Sequence, residues 1–160
     1  MDMRRFRMSD SAFTPAIEQA WVNLVRAEEA VVAAVEAEVK AAGLPPLAWY
    51  DVLLELSRPR SEAGVRQNEL ERRLLFRQYN LSRLIDRLEE AKYVERRPCP
   101  EDGRGQVVVA TAAGRKFQKQ MWPAYRDAVA KRVASKLTNK EAAELGRLLE
   151  KLVGSQRTAD

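Results

Sequence analysis

The chain has 160 residues, 46% of them hydrophobic, which suits one ordinary domain with a buried core. Its formal net charge is +5, and it contains no histidine and a single cysteine, Cys99. The lack of histidine excludes Ser-His-Asp and Cys-His catalytic groups, and with only one cysteine the usual zinc and iron–sulfur sites are excluded too. No glycine-rich phosphate loop is present. We therefore predict a protein that is not an enzyme and that uses no cofactor or metal.

The sequence predicts a cytoplasmic protein that does not associate with membranes. It has no apolar run of about 18 residues. The basic residues near Met1 are followed by Ser9, Asp10 and Ser11 rather than by a hydrophobic signal region. A moderately basic chain whose arginines cluster favours nucleic acid over membrane as its partner.

A long first helix is predicted from Thr14 and Pro15, an N-cap followed by proline, to Ala42 and Gly43. Its length is about 40 Å at 1.5 Å per residue. The apolar residues of this helix follow a nearly heptad-like stripe. The stripe is more apolar surface than the small compact domain beside it, here called the head, could cover. A helix from another subunit is therefore expected to pack there. Two prolines then precede a second helix over residues 47–56.

A helix-turn-helix is predicted next. Residues 67–75 form a short third helix that buries Leu70 and Leu74, and a bend near Phe76 and Arg77 leads to a fourth helix over residues 78–90. The spacing of the fourth helix's apolar residues predicts one buried stripe. That stripe consists of Leu81, Leu84, Ile85 and Leu88.

Arginines are concentrated around this fourth helix. Between positions 72 and 85 the chain has four arginines and no acid. This cluster indicates a local positively charged surface that would attract a polyanion. These arginines are Arg72, Arg73, Arg77 and Arg83. The alternative is an ordinary amphipathic helix with a solvated charged face.

A β-hairpin is predicted after the fourth helix. Residues 93–97 form the first strand, Pro98 and Pro100 end ladder pairing, and residues 106–109 form the return strand. Asp102 and Gly103 give the turn signal. Cys99, between two prolines, is expected to be exposed, and the sequence leaves any redox role for it open.

Two more helices complete the chain. The fifth begins at Thr111 and contains Pro123, which is expected to kink it. The sixth begins with a capping box formed by Thr138 and Glu141, and its leucines lie on one side. Residues 156–160 are expected to form a flexible tail.

In this order of elements the chain resembles the MarR family of bacterial transcription regulators. The resemblance is carried by residues 81–89, 94–97, 102–105 and 111–114. It implies a mainly α-helical (α+β) fold, a winged helix-turn-helix with long N- and C-terminal helices that form a dimerisation region. The corresponding division is a dimerisation helix at 1–45, a DNA-binding region at 46–110 with its wing at 94–110, dimerisation helices at 111–155, and the tail.

The resemblance also implies a homodimer that binds double-stranded DNA at a palindromic operator and represses transcription until a small molecule binds between the two regions. It implies a minor-groove role for Arg104, which Asp102 orients. The remaining residues that it assigns to DNA are Arg87 on or near the backbone, and Gln78, Tyr79, Asn80, Ser82 and Arg83 at the major groove. Arg77, from the arginine run, is expected to anchor the DNA beside them. The family often has small residues where this chain has Tyr79 and Asn80, so base preference does not transfer.

Three alternatives stay open. Asp102 and Gly103 could make only a tight turn, with Arg104 solvated. The aromatic residues Trp21, Trp49 and Tyr50 could line a crevice for a small aromatic or lipophilic effector, or be plain core residues. Finally, the chain could be a dimeric winged-helix protein-interaction module without specific DNA binding, although its clustered arginines argue against this.

Overall fold

A computed structural model describes residues 13–77, 80–101 and 103–154. The predictions for Gln78, Tyr79 and Asp102, for the N-terminal segment and for the tail lie outside these residues. The described part contains six α-helices, none long and apolar enough to cross a membrane. They are α1 (Pro15–Ala41), α2 (Leu47–Leu56), α3 (Gln67–Arg73), α4 (Leu81–Glu90), α5 (Ala112–Val129) and α6 (Asn139–Val153).

The sheet has three antiparallel strands in the order β1-β3-β2. They are β1 (Val65–Arg66), β2 (Val94–Pro98) and β3 (Gln106–Ala110). The predicted hairpin is β2 and β3, and Val94 pairs with Ala110 at its base. The sequence did not reveal β1, because two residues are too few to show an alternating pattern. β1 makes β3 the central strand and ties the hairpin to the segment before α3.

The prediction that Pro98 ends ladder pairing is wrong. Pro98 is the last residue of β2 and pairs with Gln106. Since β2 is an edge strand, a residue without an N–H is tolerated there. Pairing even continues one residue further, where the Cys99 N–H donates to the Gly105 carbonyl at 3.2 Å.

The main core lies between α2, α3, α4 and the sheet. Its fully buried members include Leu53, Leu56, Leu70, Ile85 and Leu88. A second cluster joins the C-terminal half of α1 to the start of α2 and to α5. The members of this second cluster are Val35, Val39, Leu47 and Ala128. The two clusters place α3, α4 and the sheet on one side of α2 and the long helices α1 and α5 on the other.

The N-terminus of α5 is fixed to the base of the hairpin. Thr111 caps the helix by accepting from the Gly114 N–H at 3.0 Å, and its hydroxyl donates to the Lys92 carbonyl at 2.8 Å. A side chain at Gly114 would collide with the Tyr93 carbonyl oxygen. Pro123 lies inside α5 without ending it, and the chain continues through a π-helical segment, Ala130–Ala134.

The ends of the long helices expose apolar side chains. On α1, Val35 and Val39 are buried whereas Ile17, Trp21 and Val25 are exposed. On α6, which has the predicted capping box, the apolar face is also exposed. Its large apolar residues on the surface are Leu145, Leu148, Leu152 and Val153. The prediction that the first helix has more apolar surface than the head can cover is therefore confirmed for the single chain, and α6 has an exposed apolar face as well.

Candidate nucleic-acid interface

Helix α4 presents one buried face and one exposed face. The predicted stripe from Leu81 to Leu88 is buried against the core. The helix begins at Leu81, three residues later than predicted, because the side chain of Asn80 caps it by accepting from the Arg83 N–H at 3.2 Å. Asparagine is one of the strongest N-cap residues, so the cap decides where the helix begins.

The exposed face of α4 carries both arginines and acids. Its members are Ser82, Arg83, Asp86, Arg87 and Glu90. The helix is about 15 Å long at 1.5 Å per residue. That length and this mixture would allow a solvated salt-bridged surface as readily as a binding face. The partners of the acids decide between the two.

Arg96 on β2 binds the acids of α4. Its guanidinium donates to the carboxylates of Asp86 and Glu89, and its backbone N–H donates to Glu89 Oε1 at 3.1 Å. Burial acts to lower the pKa of this guanidinium, but the hydrogen bonds to Asp86 and Glu89 outweigh it and raise the pKa. Arg96 therefore joins the hairpin to α4 and offsets one of the negative charges of that helix.

The arginine run before α4 is partly neutralised as well. Arg72 and Arg73 form ion pairs with Glu69, one turn earlier on α3. The prediction that all four arginines of the run form a surface for a polyanion is wrong for Arg72 and Arg73. Their partner, Glu69, precedes the run in sequence. Among the described residues, Arg77, Arg83 and Arg87 are exposed and form no ion pair.

A buried acid anchors the region behind α4. Glu55 of α2 is only 4% exposed, and its carboxylate lies 3.0 Å from Arg58 Nε and 3.2 Å from Arg60 Nη2. Arg73 Nη1 approaches it to 3.7 Å. A buried carboxylate needs such partners, since leaving it uncompensated is strongly unfavourable. This cluster fixes α2 to α3 and keeps Arg73 away from the exposed surface.

The tip of the hairpin is a short loop that presents Arg104. The Gly103 N–H donates to the Cys99 carbonyl at 2.9 Å. Gly103 and Gly105 both have positive φ angles, 61° and 78°, which glycine adopts without steric cost. Arg104 is exposed between these two glycines. The tip therefore presents the Arg104 guanidinium between two positions whose positive φ angles would be strained in a residue other than glycine.

Arg66 supports the hairpin from below, a role that the sequence analysis missed. Its Nη2 donates to the Cys99 Sγ at 3.1 Å, and a Cβ at Gly105 would lie 3.3 Å from its Nη1. The expectation that Cys99 is exposed is wrong. Cys99 is buried with Val107 and Val109 beneath the tip, because strand pairing continues beyond Pro98.

Asp51 connects α2 to the turn between α3 and α4. This buried carboxylate accepts from the Phe76 N–H at 2.8 Å. Burial raises the pKa of the Tyr125 hydroxyl, and the negative charge of Asp51 raises it further. Phe76 and Tyr125 both line a cleft of about 340 Å³ between α1, α2, the turn and α5.

The three aromatic residues for which the sequence left either an effector crevice or a core role open do not come together in the chain. Trp21 is 62% exposed on the N-terminal half of α1. Trp49 packs edge-on against Tyr93, with ring centroids 6.2 Å apart, whereas Tyr50 stacks on Tyr125 at 4.7 Å. Because Trp49 and Tyr50 are neighbours on a helix, they point about 100° apart. The cleft beside Tyr125 contains none of the three.

Comparison with known proteins agrees with this geometry. The sequence model of the MarR family matches residues 42–105, which span α2 to the hairpin tip. A MarR family transcriptional regulator from Streptomyces coelicolor, solved in complex with DNA, is 25% identical with a TM-score of 0.75, over 92% of this chain and 95% of that one. The chain is therefore similar to the MarR family over residues 42–105, and its fold is that of MarR family structures.

Two further MarR family structures have similar folds. AbsC from Streptomyces coelicolor is 23% identical with a TM-score of 0.74, over 88% of this chain and 94% of that one. Wild-type MarR from E. coli, in its apo form, is 24% identical with a TM-score of 0.66, over 89% and 99%. No curated protein matches the sequence. The mainly helical winged-helix fold is thereby confirmed.

Asn80 is exposed but uses its amide oxygen to cap α4. Gln78, Tyr79 and Asp102 lie outside the described residues. The other residues that the sequence assigned to DNA are all on the surface: Arg77, Ser82, Arg83, Arg87 and Arg104.

Proposed function

We propose that the protein is a sequence-specific, double-stranded DNA-binding transcriptional regulator that acts as a homodimer on a palindromic operator. The observation that carries the proposal is the charge distribution around α4. Arg96 binds Asp86 and Glu89 and offsets one of their two negative charges, while Arg77, Arg83 and Arg87 are exposed without an ion pair among the described residues. A helix of this charge and size suits the major groove of DNA.

Each cation has a proposed role in DNA binding. Arg83, in the first turn of α4, contacts base edges with Ser82, and Arg77 and Arg87 contact phosphates. Arg104, at the tip of the wing, enters the minor groove, where a planar guanidinium is favoured by the strong negative potential. The DNA complex of the Streptomyces coelicolor regulator supports this extension to the present chain.

The proposed dimer is formed by the exposed apolar faces of α1 and α6. Large apolar side chains are rare in such numbers on one surface of a soluble monomer. Leu152 and Val153 of α6, and Trp21 of α1, are all more than half exposed in the single chain. A second copy that covers both faces would set two α4 helices on the same side, related by a dyad.

We also propose that the regulator is a repressor that a small molecule releases from DNA. The cleft beside α5 supports this role, since Leu75 and Phe76 in its lining belong to the turn that leads into α4. A ligand that moved Phe76 would disturb its hydrogen bond to Asp51 and, through the turn, the position of α4.

A salt titration of binding to generic duplex DNA tests the proposal. Since binding through arginines releases counterions, affinity is expected to fall steeply and linearly on a log–log plot as salt rises. A double variant, Arg77→Ala with Arg87→Ala, is expected to reduce the slope by about 2 for each protomer, which is about 4 for the dimer.

The control is Lys140→Ala, which removes a cation from the start of α6 and is expected to leave the slope unchanged. A protein that binds no duplex at low salt would contradict the proposal and favour the dimeric protein-interaction module.

A further inference from the structure

A cleft lies between the long helices and the DNA-binding region, with a volume of about 340 Å³. We propose that this cleft binds an apolar organic cation in preference to an aromatic acid, an inference that rests on the proposed function for its regulatory consequence. Its lining is made of Glu28, Val31, Val32, Val35, Leu47, Leu75, Phe76, Tyr125 and Val129.

The charge of the lining is the first argument. Among the described residues of the lining, Glu28 has the only charged side chain, and none is a lysine or arginine. Within the described part of the chain, the Glu28 side chain forms no ion pair or hydrogen bond. An anionic ligand would lose water without gaining a cation as partner and would be repelled by Glu28. A cation would gain that carboxylate as a partner.

A second negative charge lies behind the same wall. Asp51 is buried and accepts from the Phe76 N–H, and its charge contributes to the raised pKa of Tyr125, after burial. Phe76 and Tyr125, both in the lining, are thus also in contact with or under the influence of this carboxylate. Glu28 in the lining and Asp51 behind it favour a negative potential in the cleft, since no lysine or arginine is among the described lining residues.

The apolar lining determines the rest of the ligand. Four valines and two leucines supply hydrophobic contacts, and the rings of Phe76 and Tyr125 can attract a cation through their faces. The volume lies at the lower end of the range of about 300–1,000 Å³ for small-molecule sites. The cleft therefore suits a ligand of one or two rings with an amine or quaternary ammonium group.

Such a ligand would act on DNA binding through the turn. Leu75 and Phe76 lie between α3 and the N-cap of α4, so occupancy of the cleft is expected to shift both. Release of DNA then requires that the ligand bind more tightly to the DNA-free arrangement of the turn.

Three probes of one ring system and different charge test the inference: naphthylmethylammonium, naphthalenemethanol and naphthoate. Calorimetric titration of the full chain at neutral pH is expected to rank them in that order. The cation should bind about tenfold or more tightly than the anion, which corresponds to about 1.4 kcal/mol. Addition of the cation to a protein–DNA complex should release the DNA.

Glu28→Gln localises the effect. It should weaken binding of the cation severalfold and leave binding of the alcohol unchanged, whereas Glu29→Gln, at the next exposed position, should change neither. Both side chains are on the surface of α1, so both variants should fold.

Naphthoate binding as tightly as the cation would overturn the inference, as would equal effects of the two substitutions. Binding to generic DNA without probe, measured on the same preparation, separates the two proposals. DNA binding without binding of the cation refutes this inference alone. Binding of the cation without DNA binding refutes the proposed function and leaves the charge preference intact.

Discussion

Arginine has three different roles in the DNA-binding region, and the neighbouring acids decide which. Arg73 balances the buried Glu55, Arg96 binds the acids of α4, and Arg83 is exposed without an ion pair among the described residues. The sequence could predict that arginines cluster here, but not which are neutralised. Glu69 is local to Arg73 on α3, but Glu55 of α2 and the acids at the far end of α4 come close to their arginines only through the fold.

Arg96→Ala is expected to destabilise the protein and weaken DNA binding together. The substitution leaves Asp86 and Glu89 on the α4 face without their cation, and it removes hydrogen bonds to charged groups worth about 2 kcal/mol. Chemical denaturation measures the first effect, and binding to duplex DNA at fixed salt measures the second. Arg97→Ala is the matched control, because Arg97 is exposed and pairs only with Glu95 among described residues.

A loss of stability below about 0.5 kcal/mol, or equal losses for the two variants, would show that Arg96 does not join the wing to α4. The control itself should cost between about 0 and 1 kcal/mol, as exposed ion pairs do.

Arg83→Ala is expected to reduce discrimination between operator and scrambled DNA. A bidentate contact from arginine to a base is worth about 1–3 kcal/mol, so affinity for the operator should fall by about tenfold or more. The measurement compares both duplexes, with the operator obtained by selection of bound genomic fragments. If the variant discriminates as well as the unaltered protein, Arg83 does not read bases.

At the scale of elements, local signals in the sequence gave accurate predictions where they were strong. The bounds of α2 and the capping box of α6 follow from proline and from a Thr–Glu pair, and both are confirmed. β1 was missed because it exists only through its pairing with β3. The start of α4 was placed three residues too early. Asn80 is the N-cap of the helix, so the helix begins at Leu81 rather than at residue 78.

Gly114→Ala is expected to destabilise the junction of α5 with the wing by about 1–3 kcal/mol, because the added methyl would collide with the rigid backbone at Tyr93. The free energy of unfolding in denaturant measures this. Ala113→Ser, at the exposed neighbouring position, should change stability by less than about 0.5 kcal/mol. A stabilised Gly114→Ala protein would mean that α5 does not pack this closely on the wing.

At the scale of the molecule, the sequence could predict that α1 and α6 carry unsatisfied apolar faces, because helical periodicity reveals them. It could not locate the cleft, which four separate segments form, and it grouped three aromatic residues that the fold separates. Aromatic residues near each other in sequence are poor guides to a pocket, because neighbouring helical positions point in different directions.

Leu152→Glu is expected to abolish the dimer. Leu152 is 71% exposed in the single chain, so a charge there should not disturb folding, but it would be costly to bury against a partner. Sedimentation measures the mass, and DNA affinity should fall with it. Lys151→Glu, its exposed neighbour, is the control. If Leu152→Glu remains dimeric, α6 does not form the interface.

The central claim is that two copies of the chain each bind one half-site of DNA through α4 and the wing. The most direct test is a hydroxyl-radical footprint of the full chain on the operator obtained by selection. We predict two protected half-sites of inverted sequence, with centres one helical turn, about 10 base pairs, or a multiple apart. Strongest protection should be found where α4 and the wing meet each half-site, and Arg83→Ala should weaken both halves equally. A single protected half-site, or uniform protection independent of sequence, would contradict the account.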